Sequence, residues 1–92
     1  MSRTLTFQFI NDTRFTDTPK QWVKDKTLEL ENKFNTLHGV ELKQEPIREV
    51  IFNDNVISYR KRFYVNKQNR KITWNNIYEV INSISPQPYD FV

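Results

Sequence analysis

Hydrophobic and polar residues alternate near the start of the chain. Leu5, Phe7 and Phe9 are separated by single polar residues, and this period of two is typical of a strand that is buried on one face only. The pattern predicts a first strand over residues 3–11, which ends at the polar sequence Asn11-Asp12-Thr13.

After this strand the apolar residues recur every three or four positions instead of every two, which predicts a helix with one apolar face. Thr18-Pro19-Lys20-Gln21 indicates where the helix starts, because Thr is a favoured N-cap, Pro a favoured first residue, and Gln completes a capping box. Gly39 suits the left-handed position after a helix, so we expect this helix over residues 19–38. The residues of the apolar face are Val23, Thr27, Leu30, Phe34 and Leu37.

A hairpin is predicted in the middle of the chain. Val40 and Leu42 alternate again, and Pro46 indicates a sheet edge or a bulge because it cannot donate a ladder hydrogen bond. Val50-Ile51-Phe52 resumes the extended pattern before the turn-forming cluster Asn53-Asp54-Asn55.

The strand that follows this turn has an apolar and a polar face, with Lys61 as an exception on the apolar side. The apolar face carries Ile57, Tyr59, Phe63 and Val65, and the polar face carries Ser58, Arg60, Arg62 and Tyr64. Residues 66–69 predict a second turn, and Ile72 and Trp74 continue in extended form.

A short second helix is predicted before Pro86, capped by Asn75 or Asn76. Its buried stripe consists of Ile77, Val80, Ile81 and Ile84. Residues 86–92 form either a loosely docked tail or a short edge strand.

These elements predict a single α+β domain over residues 1–92, with an antiparallel sheet of three to four strands packed against two helices. The order is β-α-β-β-(β)-α. If the tail pairs with the sheet, the order becomes the split βαβ arrangement of ferredoxin-like domains.

The composition excludes several kinds of chemistry. With Gly39 as its only glycine the chain has no phosphate-binding glycine loop, and with His38 as its only histidine and no cysteine it has no zinc motif. Glu41, Glu45 and Glu49 recur every four residues, but in extended backbone they lie too far apart to share a metal. We therefore expect no metal, no cofactor and no enzymatic activity.

Composition also bears on origin and location. The chain has no alanine and ten asparagines, a preference that follows AT-rich codons and suggests a phage or another mobile element. It has no cysteine, no long apolar run and no secretion signal at its start, so we expect a cytoplasmic protein without a membrane segment.

Residues 55–78 contain no acidic residue but six basic ones, interleaved with aromatic residues. This stretch is locally about +6 in a chain of net charge +3, and such a combination attracts phosphates and stacks bases. We therefore predict that residues 56–74 contact nucleic acid or a ribonucleoprotein. The candidate binding residues are Arg60, Arg62, Tyr64, Lys67, Arg70 and Lys71.

Two alternatives remain open. The basic surface equally suits an acidic host protein, and the chain would then be an inhibitor or adaptor that blocks a host complex; Trp22 and Leu28 are the candidate interface residues in that case. The third hypothesis is a small metal-independent nuclease toxin that uses Arg60, Arg62 and Tyr64.

Overall fold

The computed structural model describes residues 3–84 and 89–91. The element order confirms the predicted α+β class, with two helices and an antiparallel sheet among the described residues. The elements are β1 (Arg3–Asp12), α1 (Pro19–Phe34), β2 (Val40–Gln44), β3 (Arg48–Phe52), β4 (Asn55–Lys67), α2 (Trp74–Ile84) and β5 (Tyr89–Phe91).

The long strand β4 organises the sheet. It pairs with β1 on one side, and on its other side with β2 at residues 63–67 and with β3 at residues 55–60. β2 and β3 therefore lie end to end along the same edge, separated at Pro46 as the sequence predicts. β5 pairs with Phe7–Phe9 of β1, so the tail does join the sheet and completes the split βαβ order.

Both helices cover one face of this sheet. The rings of Phe7 and Phe9 lie 5.1 and 5.0 Å from the ring of Phe63, and all three side chains are fully buried. The helices contribute Leu30, Phe34, Ile77, Ile81 and Ile84 to the same core. The opposite face, which carries the alternate residues of β1 and β4, has no helix against it among the described residues.

The structure corrects the predicted end of α1. The helix stops at Phe34 rather than at residue 38. The Thr36 hydroxyl and the Thr36 N–H both donate to the carbonyl oxygen of Lys33, and the Leu37 N–H donates to that of Phe34. These hydrogen bonds to the residue three positions earlier replace the helical bonds to the residue four positions earlier, because a Thr side chain competes for the carbonyl oxygens of the last turn.

The predicted start of α1 at Pro19 is confirmed, but its capping box is wrong. Thr18 makes no side-chain cap hydrogen bond, and the Gln21 amide donates to Asp25 instead. α2, in contrast, has a reciprocal cap: the Asn76 N–H donates to the Thr73 hydroxyl, and the Thr73 N–H donates to the Asn76 side chain. Thr73, rather than Asn75 or Asn76, is therefore the N-cap; Asn76 is the third residue of the helix, and Trp74 is helical rather than extended.

The hairpin between β3 and β4 turns where the sequence predicts. Asn53 and Asp54 have φ angles of 50° and 64°, which a tight two-residue hairpin turn requires at both central positions. The register shifts between Val50 and Ile51, so this end of the hairpin is bulged.

Gly39 has a different role from the predicted helix cap. Its φ angle is 78°, and a Cβ at this position would lie 2.5 Å from the Cβ of Asn69. The Gly39 carbonyl oxygen accepts hydrogen bonds from the N–H groups of Gln68 and Asn69. Gly39 therefore lets the start of β2 lie close to the turn after β4.

Neither described helix has the length and apolar character needed to cross a membrane. The prediction for Pro86 lies outside the described residues.

Candidate functional site

The face of the sheet that the helices leave uncovered carries three of the predicted binding residues. In the pairing of β1 with β4, Tyr64 lies opposite Thr6, Arg62 opposite Gln8, and Arg60 opposite Ile10. These positions alternate with the buried Phe63 and Val65, so their side chains project away from the core. The three predicted residues therefore lie in a row along the middle of this open face, and all three are half-buried.

The two arginines of this row lack a counter-charge. Among the side chains that the structure describes, neither Arg60 nor Arg62 makes an ion pair or a side-chain hydrogen bond, and the Arg60 Nε is buried without a partner. An arginine stays charged at any physiological pH. A partly desolvated guanidinium without a partner is costly, so the open face should favour an acceptor from another molecule.

Tyr64, unlike the arginines, is held by its neighbours. Its hydroxyl donates to Glu45, whose other carboxylate oxygen accepts from Arg48 at 3.2 Å. The Glu45 N–H also donates to the Arg62 carbonyl oxygen, which fixes Glu45 against β4. The phenol ring is thereby oriented on the open face, and much of the charge of Glu45 is compensated by Arg48.

A cleft of about 320 Å³ opens beside the two arginines, where the edge of the sheet is interrupted at Pro46. It contains an uncharged side chain that no sequence pattern singles out: Gln8 is only 8% exposed, and its Oε1 has no hydrogen-bond partner among the described residues. Arg48 lies directly opposite Arg60 in the pairing of β3 with β4 and shares the open face, whereas Glu49 lies opposite Tyr59, so its side chain belongs to the other face. The lining residues are Gln8, Glu45, Pro46, Arg48, Glu49, Val50, Ile51, Arg60 and Arg62.

The other predicted basic residues lie elsewhere. Lys67 belongs to the helix-covered side of β4, where its Nζ lies 5.8 Å from the centre of the Trp74 ring and 3.4 Å from the Asn69 carbonyl oxygen. Arg70 and Lys71 are exposed in the turn after β4, at the opposite end of this strand from the hairpin. The six candidates thus divide into a row of three on the open face, Lys67 on the helix-covered side, and Arg70 and Lys71 in a separate basic turn.

The two predicted protein-interface residues also differ from each other. Leu28 is 58% exposed on α1, as its position off the apolar stripe suggests. Trp22 is half-buried and packs edge-on against Phe9, with 6.2 Å between the ring centres. Trp22 therefore belongs to the margin of the core.

A second exposed surface lies at the tip of the β3–β4 hairpin. Ile51 and Phe52 are exposed there, and Ile57 is 40% exposed although the sequence predicts it on the buried face. Neither helix lies against β3, so the core does not reach this end. The Thr13 N–H donates to the Ile57 carbonyl oxygen at 3.1 Å, which brings the loop with the exposed Phe15 close to the hairpin.

The described acidic residues that form ion pairs do so with basic residues two or three positions away along the chain. Glu41 pairs with Lys43, and no group of three potential metal ligands occurs among the described residues. Asp12 accepts two hydrogen bonds from the Arg14 guanidinium, which hold the pKa of that carboxyl below its ordinary value. Arg14 is exposed and Asp12 is half-buried, and the pair does not line the cleft.

No known protein family, curated protein or solved structure matches this chain. Its function is therefore inferred from the chemistry of its own surfaces.

Proposed function

We propose that this protein binds single-stranded nucleic acid across the open face of its sheet, without catalysing a reaction. The observation that carries the proposal is the pair Arg60 and Arg62, which lie side by side without a counter-charge next to the oriented ring of Tyr64. Unpaired guanidinium groups supply donors for phosphates, and an aromatic ring supplies a stacking surface for a base.

The geometry of a strand suits such a ligand. Alternate residues of β4 project from the same face at intervals of about 6.6 Å, which is close to the phosphate spacing of an extended single strand. Arg62 can then contact a phosphate while Tyr64 stacks on the neighbouring base. The exposed Arg70 and Lys71 would extend the positive field beyond the end of β4.

Wild-type protein is expected to bind a fluorescent RNA or DNA of about 12 nucleotides at low salt, with affinity that falls as salt rises. Each neutralised phosphate should contribute about 0.7 to the slope of log K against log salt, so two to four contacts give a slope of roughly −1.4 to −2.8. Fluorescence anisotropy at several salt concentrations measures this slope. A morpholino oligomer of the same sequence, which has an uncharged backbone, is the matched ligand control, and failure to bind either RNA or DNA at low salt would refute the proposal.

A second candidate function is that of an inhibitor or adaptor that docks on another protein, such as a host complex that it blocks. The exposed apolar tip of the hairpin favours it, because Ile51 and Phe52 are both exposed there and neither helix packs against β3. Exposed apolar surface of this kind often marks a protein interface, and aromatic residues often dominate its binding energy.

Phe52→Ala is expected to weaken such a protein complex by roughly 30-fold, the effect of losing one hot-spot side chain. Capture from an extract of the cells that carry the gene should recover one stoichiometric partner with the wild type and lose it with this variant. Leu28→Ala is the comparison variant, because Leu28 is about as exposed but lies on α1: loss of the partner with Leu28→Ala alone would place the docking surface on α1 instead. Equal capture by wild type and Phe52→Ala would contradict the hairpin as the docking surface.

A further inference from the structure

We propose that the cleft at Pro46 binds the terminal phosphate of a nucleic-acid strand, so that the protein recognises a phosphorylated strand end. The inference rests on the proposed function and names the part of the strand that the cleft takes. The cleft, of about 320 Å³, has room for a phosphate and the sugar that carries it. It adjoins Arg60 and Arg62, the two members of the row that lie nearest the hairpin.

Three arginine side chains meet at this cleft. Arg48 lies directly opposite Arg60 in the pairing of β3 with β4, and Arg62 lies two residues further along β4. The register therefore puts all three on the open face, and all three line the cleft. A guanidinium carries five N–H donors and no acceptor, in a planar fork that fits two oxygens of one phosphate. The cleft thus concentrates donors for a single anion.

Most of these donors have no acceptor among the described residues. Arg60 and Arg62 make no ion pair and no side-chain hydrogen bond there, and the Arg60 Nε is buried without a partner. Arg48 donates to Glu45 at 3.2 Å, which holds its guanidinium at the cleft and leaves other N–H groups for a ligand. Because an unsatisfied buried donor is costly, a bound anion would stabilise this arrangement.

The charge of the cleft suits a terminal phosphate better than an internal one. The three arginines share the open face with one carboxylate of the cleft, that of Glu45, because Glu49 lies opposite Tyr59 and belongs to the other face. Three positive charges against one negative charge leave a net charge of +2. A terminal phosphate carries about −1.5 to −2 at neutral pH and presents three oxygens, whereas an internal phosphate carries a single negative charge.

The surroundings of the cleft also favour the end of a strand. Toward the hairpin the cleft is lined by Val50 and Ile51, and the β1 residue opposite Arg60 is Ile10. These apolar side chains offer no donor to a further phosphate, whereas in the other direction along β4 the ring of Tyr64 offers a stacking surface. A strand that lies along β4 therefore reaches its last charged contact at the cleft.

Gln8 supplies the cleft with an uncharged amide. It lies opposite Arg62 and is buried, and its Oε1 has no described partner. An inorganic phosphate dianion would leave this oxygen unpaired because it has no donor, but the ribose of a terminal nucleotide has a hydroxyl group that can donate to it. The amide therefore favours a sugar with its phosphate over a phosphate alone.

The test compares uridine oligomers of about 12 nucleotides that differ only in their ends and carry a fluorophore on an internal base, by anisotropy at one low salt concentration. We expect a 5′- or a 3′-phosphate to strengthen binding about tenfold over hydroxyl ends, the effect of one further charge-assisted contact. Comparing the two phosphorylated oligomers tells which end the cleft takes. The control ligand has hydroxyl ends and about two more nucleotides, which give it the same total charge, and it should gain no more than about twofold.

Arg48→Ala separates binding of the end from binding of the strand, because Arg48 lines the cleft but does not belong to the row on β4. The variant should reduce the preference for the phosphorylated end to about threefold or less. Lys43→Ala is the matched control: Lys43 lies opposite Tyr64, its side chain is 69% exposed like that of Arg48, and it too pairs with a nearby glutamate. Lys43 does not line the cleft, so this variant should keep the tenfold preference. Both variants should weaken binding of the hydroxyl-ended oligomer equally, by about twofold, through the long-range field alone.

The outcomes distinguish this inference from the proposed function. Equal binding of the phosphorylated and hydroxyl-ended oligomers by the wild type would overturn recognition of the end and leave nucleic-acid binding intact. An equal preference in Arg48→Ala and Lys43→Ala would also overturn it, as would a longer hydroxyl-ended oligomer that binds as tightly as the phosphorylated ones. If no oligomer binds at low salt, the proposed function fails and recognition of the end fails with it.

Discussion

Replacing Arg60 and Arg62 together with alanine is expected to weaken nucleic-acid binding about 100-fold at low salt, roughly tenfold for each arginine. A charge-assisted hydrogen bond contributes about 1.5–3 kcal/mol, and about 1.4 kcal/mol corresponds to a factor of ten in affinity. The slope of log K against log salt should fall in magnitude by about 0.7 for each arginine that contacts a phosphate. Anisotropy titrations of wild type and variant over the same salt range measure both quantities.

The matched control removes two positive charges from the other side of the molecule. Lys20 and Lys24 are exposed on α1 and form no ion pair with a described residue, so Lys20→Ala with Lys24→Ala lowers the net charge equally. This control should lose no more than about threefold in affinity, because it changes only the long-range field. Equal losses in the two double variants would contradict a specific role for the open face.

The variant with Arg60→Ala and Arg62→Ala is expected to fold like the wild type, so a loss of binding would come from the missing side chains. Arg60 and Arg62 make no described side-chain hydrogen bond or ion pair, and the Arg60 Nε is buried without a partner. Their removal therefore leaves no described partner unsatisfied, although it does remove alkyl packing. Circular dichroism should show a folded protein.

The elements with the strongest periodicity were predictable from the sequence. β1 matches its predicted bounds to within one residue, and the two faces of β4 are correct at Phe63 and Val65. Periodicity works here because burial on one face requires every second side chain to be apolar. The same rule places Lys67 on the side of Phe63 and Val65, so its position away from the open face follows from counting alone.

The helix ends and the cleft were harder to predict because they depend on non-local contacts. Gly39 resembles a helix cap in sequence, yet its positive φ serves the contact with Asn69, 30 positions further along the chain. The cleft depends on the pairing of β3 with β4, which brings Arg48 directly opposite Arg60. The hydrophobic pattern of a single strand does not specify which residues of β3 and β4 lie opposite each other.

Ile57 shows how the sequence pattern fails where the core ends. Its position in the alternation of β4 predicts burial, but neither helix extends to β3, so no described element covers this end of the strand. The apolar residues of β4 thus continue beyond the end of the core. The exposed apolar residues at the hairpin tip are what suggest a partner there.

Replacing Phe63 with alanine is expected to destabilise the protein by about 3–5 kcal/mol, the usual cost of removing a fully buried phenylalanine. Phe63 lies on the central strand β4, stacked on Phe7 and edge-on to Phe9, so its loss leaves a cavity between the sheet and both helices. For a domain of this size, such a loss corresponds to a fall of roughly 12–40 °C in the melting temperature. Thermal and urea unfolding followed by circular dichroism measure it.

Phe52→Ala is the control for this experiment, because it removes the same side chain from a position that is 63% exposed. Phe52→Ala should lower the free energy of unfolding by less than about 1 kcal/mol, because the exposed Phe52 side chain buries little apolar surface when the protein folds. Should Phe63→Ala unfold completely, Phe63→Leu keeps most of the buried volume and gives a smaller, measurable loss. Similar losses for Phe63→Ala and Phe52→Ala would mean that the sheet face covered by the helices is not the core of the protein.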